Sequence, residues 1–209
     1  SKYCMKRLID ITITIIFLPV LVIIYPLLIV LIYVSDGRPA IYRQERVGKK
    51  GKLFLLYKFR TMDILSNDAV HEEHYKNLSK QKTVKPSLTP NEPIRIENDD
   101  RITNIGKFLR KTSLDELPNL INVLKGEMSI VGPRPLVKYE SELYGNFQTK
   151  RNTVRPGITG LAQIQGRLDL SLQERLYWDL QYVETKNLGL DLKILFLTFY
   201  YVVTRKGAN

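Results

Sequence analysis

Three features of the sequence predict an α+β fold that is mostly helical and carries an apolar N-terminal helix. The first is an uncharged run of 25 residues, Ile11 to Ser35. The second is a pair of aromatic and β-branched segments set around a glycine-lysine turn. The third is a series of helix signals, capping sequences and apolar stretches, spread over the rest of the chain.

The apolar run lies between Asp10 and Asp36. At about 1.5 Å per residue, one helix of that length is long enough to cross a bilayer. A signal peptide fits less well, because its apolar core is shorter and a small-residue cleavage site follows it. Here the chain continues as Asp36-Gly-Arg-Pro39. Pro19 and Pro26 each remove a backbone donor and crowd the preceding turn, so a kink or break is expected. Lys2, Lys6 and Arg7 precede the run, and Arg38, Arg43 and Arg46 follow it. The positive-inside tendency therefore draws both ends to the cytoplasmic side. A helix that enters, bends and leaves by the same face satisfies both clues. A kinked spanning helix satisfies the length alone. Asp10 and the carbonyls freed by proline need partners in either arrangement, with Arg7 and interfacial water the candidates.

Ala40 to Glu45 and Leu53 to Phe59 read as strands flanking Val47-Gly-Lys-Lys-Gly-Lys52, a hairpin pattern. Residues 38 to 60 hold eight basic side chains against one acidic one, Glu45. Lys49, Lys50 and Lys52 suit a solvated turn. Lys58 and Arg60 alternate with Tyr57 and Phe59, which assigns both cations to one strand face as candidate phosphate ligands. Asp63 to Asn98 is polar and punctuated by Pro86, Pro90 and Pro93. A helix is expected over His71 to Lys80, followed by an irregular loop long enough to shape a substrate site. His71-Glu-Glu-His74 lacks the zinc-protease spacing and suits a solvated helix face.

Asp115 and Glu116 stand between two basic stretches. Paired carboxylates among cations suit phosphate chemistry: one attacks phosphorus while the other holds a divalent cation. Ser113-Leu-Asp-Glu116 also has the form of a capping box, which needs no chemistry at all. Pro118 near the start of a helix from Leu117 to Leu124 places the acidic pair at a helix N-terminus, a position that favours phosphate. Gly132-Pro-Arg-Pro135 encodes a rigid turn able to aim Arg134 at an anionic group. The glycine-rich stretch from Val154 to Arg167 offers Arg155, Gln163 and Arg167. Ser171-Leu-Gln-Glu174 opens a helix towards Lys186, whose Tyr177, Trp178 and Tyr182 suit either head-group depth or the core. Ile194 to Thr204 is uncharged but too short to span, so it suits a helix lying in the membrane surface or a buried one.

Composition narrows the function. A net charge of +11 points to an anionic partner: nucleic acid, lipid head groups or a phosphorylated substrate. A hydrophobic content of 44% belongs to a folded chain. The lone Cys4 excludes an internal disulfide and a cysteine zinc site.

In order along the chain stand Lys6-Arg-Leu-Ile-Asp10, Tyr57-Lys-Phe-Arg-Thr-Met62, Ser113-Leu-Asp-Glu-Leu-Pro118, Asn122-Val-Leu-Lys-Gly-Glu-Met-Ser129, Val131-Gly-Pro-Arg-Pro135, Arg155-Pro-Gly-Ile-Thr-Gly160 and Leu190-Asp-Leu-Lys193. This set resembles the bacterial sugar-transferase family, the monotopic phosphoglycosyl transferases. The resemblance implies a re-entrant membrane anchor over residues 1–36. It implies a compact membrane-associated catalytic domain over residues 37–209, mostly helical with a β-hairpin and interfacial helices, on the cytoplasmic face of the bacterial inner membrane. It also implies transfer of a sugar phosphate from a UDP-sugar to polyprenol phosphate with release of UMP. The partners are then these two substrates and membrane lipid, with no nucleic acid. In this likeness Asp115 is the nucleophile and Glu116 the Mg²⁺ ligand, while Arg110, Arg134 and Arg167 surround the phosphates, with Lys58 a match of the same kind. The anchor departs from the pattern, since many members break it at Ser-Pro where this chain has Leu18-Pro19 and Tyr25-Pro26. A rival from another class is a membrane-tethered protein that binds anionic ligands without turnover. An aspartyl phosphohydrolase is an enzymatic one.

Overall fold

The apolar run forms one helix, α1 (Lys2–Asp36), of 35 residues. Pro19 and Pro26 lie inside it and neither ends it, so the expected break is absent. The helix is pinned to the remainder of the protein separately on either side of the prolines, which explains how it tolerates two missing donors. Near its start, Arg7 donates from Nη1 and Nη2 to the carbonyls of Val123 and Leu124, at 2.5 and 2.9 Å. Lys6 donates to Asp191 Oδ2 at 2.7 Å, and Asp10 Oδ1 accepts from Ser129 Oγ and the Ile130 amide, both at 2.9 Å. Those bonds satisfy Asp10 Oδ1, while its Oδ2 is buried without a hydrogen-bond partner among the described residues and feels the Lys6 and Arg7 charges. Residues 15–20 around Pro19 are exposed on all sides. Leu28 and Ile32 then pack against Phe59 and Leu109. At the far end, Arg60 Nη2 donates to the carbonyls of Asp36 and Gly37 at 2.5 and 2.7 Å, and Thr103 Oγ1 to Asp36 Oδ2 at 2.7 Å. Both ends of α1 therefore rest on the same body.

This computed structural model describes residues 2–64, 69–78, 84–88, 93–94, 99–166 and 169–204. The hairpin consists of β1 (Ile41–Val47) and β2 (Leu53–Phe59), antiparallel with Ile41 opposite Phe59 and Val47 opposite Leu53. Helix α2 (Ala69–Leu78) lies within two residues of its predicted start and end. Helix α3 (Asn104–Thr112) opens on Thr103, whose Oγ1 accepts from the Gly106 amide, a cap the sequence analysis passed over. A single 3₁₀ turn, Leu114–Glu116, leads into α4 (Asn119–Lys125). There follow β3 (Ser129–Val131), α5 (Lys138–Leu143), α6 (Phe147–Arg151), β4 (Gly157–Thr159), α7 (Leu161–Gln165), α8 (Leu172–Thr185) and α9 (Leu188–Thr204). Strands β3 and β4 pair in parallel, Ser129 with Gly157 and Val131 with Thr159.

The parallel pair joins two glycine motifs that lie far apart in sequence. A Cβ on Gly157 would stand 2.1 Å from the Gly132 nitrogen, and one on Gly160 would stand 2.1 Å from the Gly132 oxygen. Only glycine permits this backbone approach, which holds the turn carrying Arg134. The main core gathers Phe54 and Leu56 of β2, Leu120 and Val123 of α4, Ile130 and Val131 of β3, and Ile194 of α9. Tyr182 joins that core, 1% exposed, with its hydroxyl donating to Asp191 Oδ1 at 2.7 Å, which excludes head-group depth for it. Ser171 caps α8 in the predicted box with Glu174. Helix α9 begins at Leu188, earlier than its uncharged stretch, and exposes Leu188, Leu192, Phe196, Phe199 and Val203 along one face. Such an unburied apolar stripe suits the membrane surface.

Candidate active site

Asp115 and Glu116 sit in the 3₁₀ turn between α3 and α4, and the capping-box reading of this segment is wrong. Ser113 adopts the left-handed conformation (φ 57°, ψ 17°) as the C-cap of α3, with its amide bonded to the Arg110 carbonyl. Its side chain caps nothing. The chain has to reverse here, and that reversal removes Ser113 from the extended geometry an N-cap needs. Glu116, released from a capping role, turns to Lys58 and Arg134. Lys58 Nζ lies 2.5 Å from Glu116 Oε1 and 3.7 Å from Asp115 Oδ2, and Arg134 Nη1 lies 3.3 Å from Glu116 Oε1.

Each of these cations arrives on a different element. Lys58 comes from β2, which is stitched to α4 through fully buried Asn122: its Nδ2 donates to the Leu55 carbonyl at 2.7 Å, and its Oδ1 accepts from the Tyr57 amide at 3.3 Å. Sequence reasoning gave Asn122 no role, and a polar residue inside an otherwise apolar helix face was the available signal. Arg134 rides on the turn after β3, and buried Arg151 donates from Nη2 to its carbonyl at 2.5 Å. Arg110, on α3, is steadied by a 2.9 Å bond from Nε to Thr61 Oγ1, and its charge reaches Asp115.

The two carboxyls are pushed in opposite directions. Burial raises the Asp115 carboxyl above its ordinary range; Lys58 opposes the rise and the Glu116 charge adds to it. Burial also pushes Glu116 up, but Lys58 and Arg134 overcome that and hold it at about 2. Two adjacent carboxyls in one site separate in this manner because both cannot ionise with equal ease. Lys58 and Arg134 thus favour the ionised form of Glu116. Asp115, 9% exposed and hydrogen-bonded by no side chain among the described residues, remains available for reaction.

Other sequence candidates lie elsewhere. Strand β2 ends at Phe59, so the two-residue alternation does not carry on to Arg60, which closes the carbonyl end of α1 instead. Arg155 donates from Nε to the Gly126 carbonyl at the end of α4, at 2.8 Å. Gln163 donates to the Ile158 carbonyl at 3.3 Å. Arg167 lies outside the described residues. His74 Nε2 stands 3.1 Å from the Ile94 carbonyl, and no cluster of three or more histidine, cysteine or carboxylate side chains occurs among the described residues.

Asp115 and Glu116 nevertheless fit a magnesium ion. That metal takes one or two carboxylates and leaves its remaining positions to water and substrate phosphate. A glutamate that stays ionised in a buried setting is the donor such a site requires.

A family model described as "Bacterial sugar transferase" matches residues 1–205. The undecaprenyl-phosphate galactose phosphotransferase of Salmonella typhimurium is 43% identical over 219 residues, covering 100% of this chain and 42% of that protein. The UDP-glucose:undecaprenyl-phosphate glucose-1-phosphate transferase of Klebsiella pneumoniae is 38% identical, covering 97% of this chain and 41% of that protein. The exopolysaccharide production protein ExoY of Rhizobium meliloti is 40% identical and is covered over 79% of its length. The chain thus spans under half the length of the two larger relatives and most of the third. Matched from its first residue almost to its last, the chain belongs to the bacterial sugar transferase family.

Proposed function

We propose that this protein transfers a sugar phosphate from a UDP-sugar to polyprenol (undecaprenyl) phosphate through a covalent intermediate on Asp115. The observation that carries the reading is the asymmetric acidic pair: a half-freed buried Asp115 beside a Glu116 fixed as an anion by Lys58 and Arg134. In the first step an Asp115 carboxylate oxygen attacks the phosphorus that bears the sugar. A bond from oxygen to phosphorus forms, the phosphoanhydride bond breaks, and UMP leaves with the electron pair. In the second step an oxygen of polyprenol phosphate attacks the same phosphorus, and Asp115 departs as carboxylate. Lys58, Arg110 and Arg134 offset the repulsion between an anionic nucleophile and an anionic substrate. Glu116, with Asp115 alongside, would hold Mg²⁺, which supplies further charge neutralisation at the phosphates when bound.

The relatives' names, with their undecaprenyl phosphate, galactose and glucose, support the substrate class. UMP release across a panel of UDP-sugars, with and without polyprenol phosphate, tests it. Intact-protein mass spectrometry without the lipid acceptor should show a sugar-phosphate adduct on Asp115. Free sugar phosphate made without acceptor would instead mark a hydrolase, and binding with no product a tethered binding protein.

The anchor is re-entrant in this proposal, with the catalytic body on the cytoplasmic face of the inner membrane. Attachment of both ends of α1 to one body supports it, because a spanning helix would carry its ends to opposite sides. Pro19, inside the exposed stretch of residues 15–20, is where this continuous helix would bend within the membrane. Ser1→Cys and Lys50→Cys, each in a Cys4→Ser background, should both resist a membrane-impermeant thiol reagent in intact cells; labelling of one site alone would reject the arrangement.

A further inference from the structure

Thr61 has no part in the chemistry above, yet two parts of the site meet on it. It follows Lys58 along the chain, just past the end of β2, and is 8% exposed. The stretch it belongs to runs against the start of α3. Met62 pairs with Ile102, the Asp63 amide donates to the Arg101 carbonyl at 2.8 Å, and the Thr103 amide donates to the Thr61 carbonyl at 3.1 Å. Gly106 brings the helix closer still, since a Cβ there would stand 2.0 Å from the Thr61 oxygen. Arg110 comes one helical turn after Gly106 and so shares its face. On that face Arg110 Nε donates to Thr61 Oγ1 at 2.9 Å, while its Nη1 and Nη2 make no hydrogen bond among the described residues. Asp115 is the strongest of the charges acting on Arg110, ahead of Asp99. Burial raises the Asp115 carboxyl, and Arg110 pulls it back, second to Lys58 among the cations that do so.

We propose that Thr61 is a positioning residue for the transfer: its hydroxyl fixes Arg110 by Nε and keeps the outer guanidinium nitrogens turned to Asp115 and to the phosphate that Asp115 attacks. A free arginine side chain samples many rotamers, and most are lost when it engages an anion. One bond at Nε settles the orientation before substrate arrives, which is the condition for stabilising developing charge without reorganisation. It also leaves both Nη groups, which suit two oxygens of one phosphate. Neighbouring Arg60 shows the contrast, because it spends its Nη2 on the backbone carbonyls that close α1. Thr61 itself touches no reacting atom and acts through Arg110. The inference rests on the transferase reading.

A double-mutant cycle with Thr61→Val and Arg110→Met, read as kcat/KM for UMP release against pH, decides the matter. Thr61→Val keeps the shape but cannot accept, so it should cost about tenfold, the effect of one lost hydrogen bond to a charged group. Its acid limb should move to higher pH, because Asp115 loses part of the pull that Arg110 exerts. In the Arg110→Met background the same substitution should change kcat/KM by no more than about twofold, since its effect passes through a group already gone. Thr61→Ser restores the acceptor and should stay within about twofold of native. If Thr61→Val does not fold, Thr61→Ala carries the test. A loss of equal size in both backgrounds, or an acid limb that stays in place, would leave Thr61 a structural residue and overturn the proposal. Native turnover in folded Thr61→Val would overturn it too. If the native protein released no UMP, the transferase reading would fall by itself. The same cycle, read as UDP-galactose affinity by calorimetric titration, would then support the positioning role if the two sites couple and overturn it if they do not.

Discussion

Two aspartates of this protein, Asp179 and Asp115, are buried beside arginines, and only Asp179 is sealed in a close ion pair. Asp179, on α8, meets Arg151 Nε at 2.8 Å with both side chains at most 2% exposed. Burial raises its carboxyl, and Arg151 and Arg175 pull against that. Arg151 also grips the Arg134 carbonyl, so this pair is an internal brace behind the active site. Asp115 experiences the same push from burial, but among the described residues its nearest cation is Lys58 at 3.7 Å. Its neighbour Glu116 takes the short contacts. A sealed ion pair fixes structure, whereas a carboxylate denied its own partner keeps its lone pairs for substrate.

The sharpest way to break this comparison is to neutralise each aspartate. Asp115→Asn should lower UMP release by about a thousandfold or more while thermal unfolding stays near native. Near-native turnover in that variant would exclude the covalent route in favour of direct attack by the lipid phosphate. Asp179→Ala should reverse the pattern and cost about 3–5 kcal/mol in denaturant unfolding, because it leaves Arg151 buried and unpaired. Its loss of turnover should track the unfolded fraction, with a smaller part from a loosened Arg134.

Lys58 links the two settings. In the proposed mechanism Asp115 must be ionised to attack, and burial holds its carboxyl above the usual 3.8, so the acid limb of kcat/KM should fall above that pH. Lys58 lowers the Asp115 carboxyl, so Lys58→Met should move the limb to higher pH, besides costing roughly a hundredfold in turnover for a lost phosphate-facing cation. A limb that stayed in place would show that another group sets it. The smallest effect should come from Arg60→Met. Two residues along the chain from Lys58, it should lose about 1 kcal/mol of stability for each α1 carbonyl bond while turnover remains within a few-fold of native.

The elements the sequence made legible were those with local causes. The hairpin followed from β-formers around glycine, α8 from its Ser171–Glu174 box, and α1 from 25 uncharged residues. The short pieces, β3, β4, α5, α6 and α7, carry too few residues for a period to show, and β3 and β4 exist only because they meet each other. Within the site, Asp115, Glu116, Lys58, Arg110 and Arg134 were named from motif and resemblance, and the structure brings these five together. Arg60, Arg155 and Gln163 were named on the same type of reasoning and face other tasks. Alternation assumed that β2 runs past Phe59, and a side chain's chemistry does not reveal which backbone carbonyl will claim it.

By itself, then, the sequence determined a long apolar helix with basic flanks, a basic hairpin, and an acidic pair in a cationic neighbourhood. Each is a property of residues close along the chain. Only tertiary structure decided which carboxylate is tethered and which is free, because that depends on Lys58 and Arg134 arriving from 58 and 18 residues away. It also decided that both ends of α1 rest on one body, since Asp10 meets Ser129 and Ile130, and Asp36 meets Arg60 and Thr103. Charge and burial at a point are sums over everything packed around it, and packing is a long-range result that no local pattern encodes.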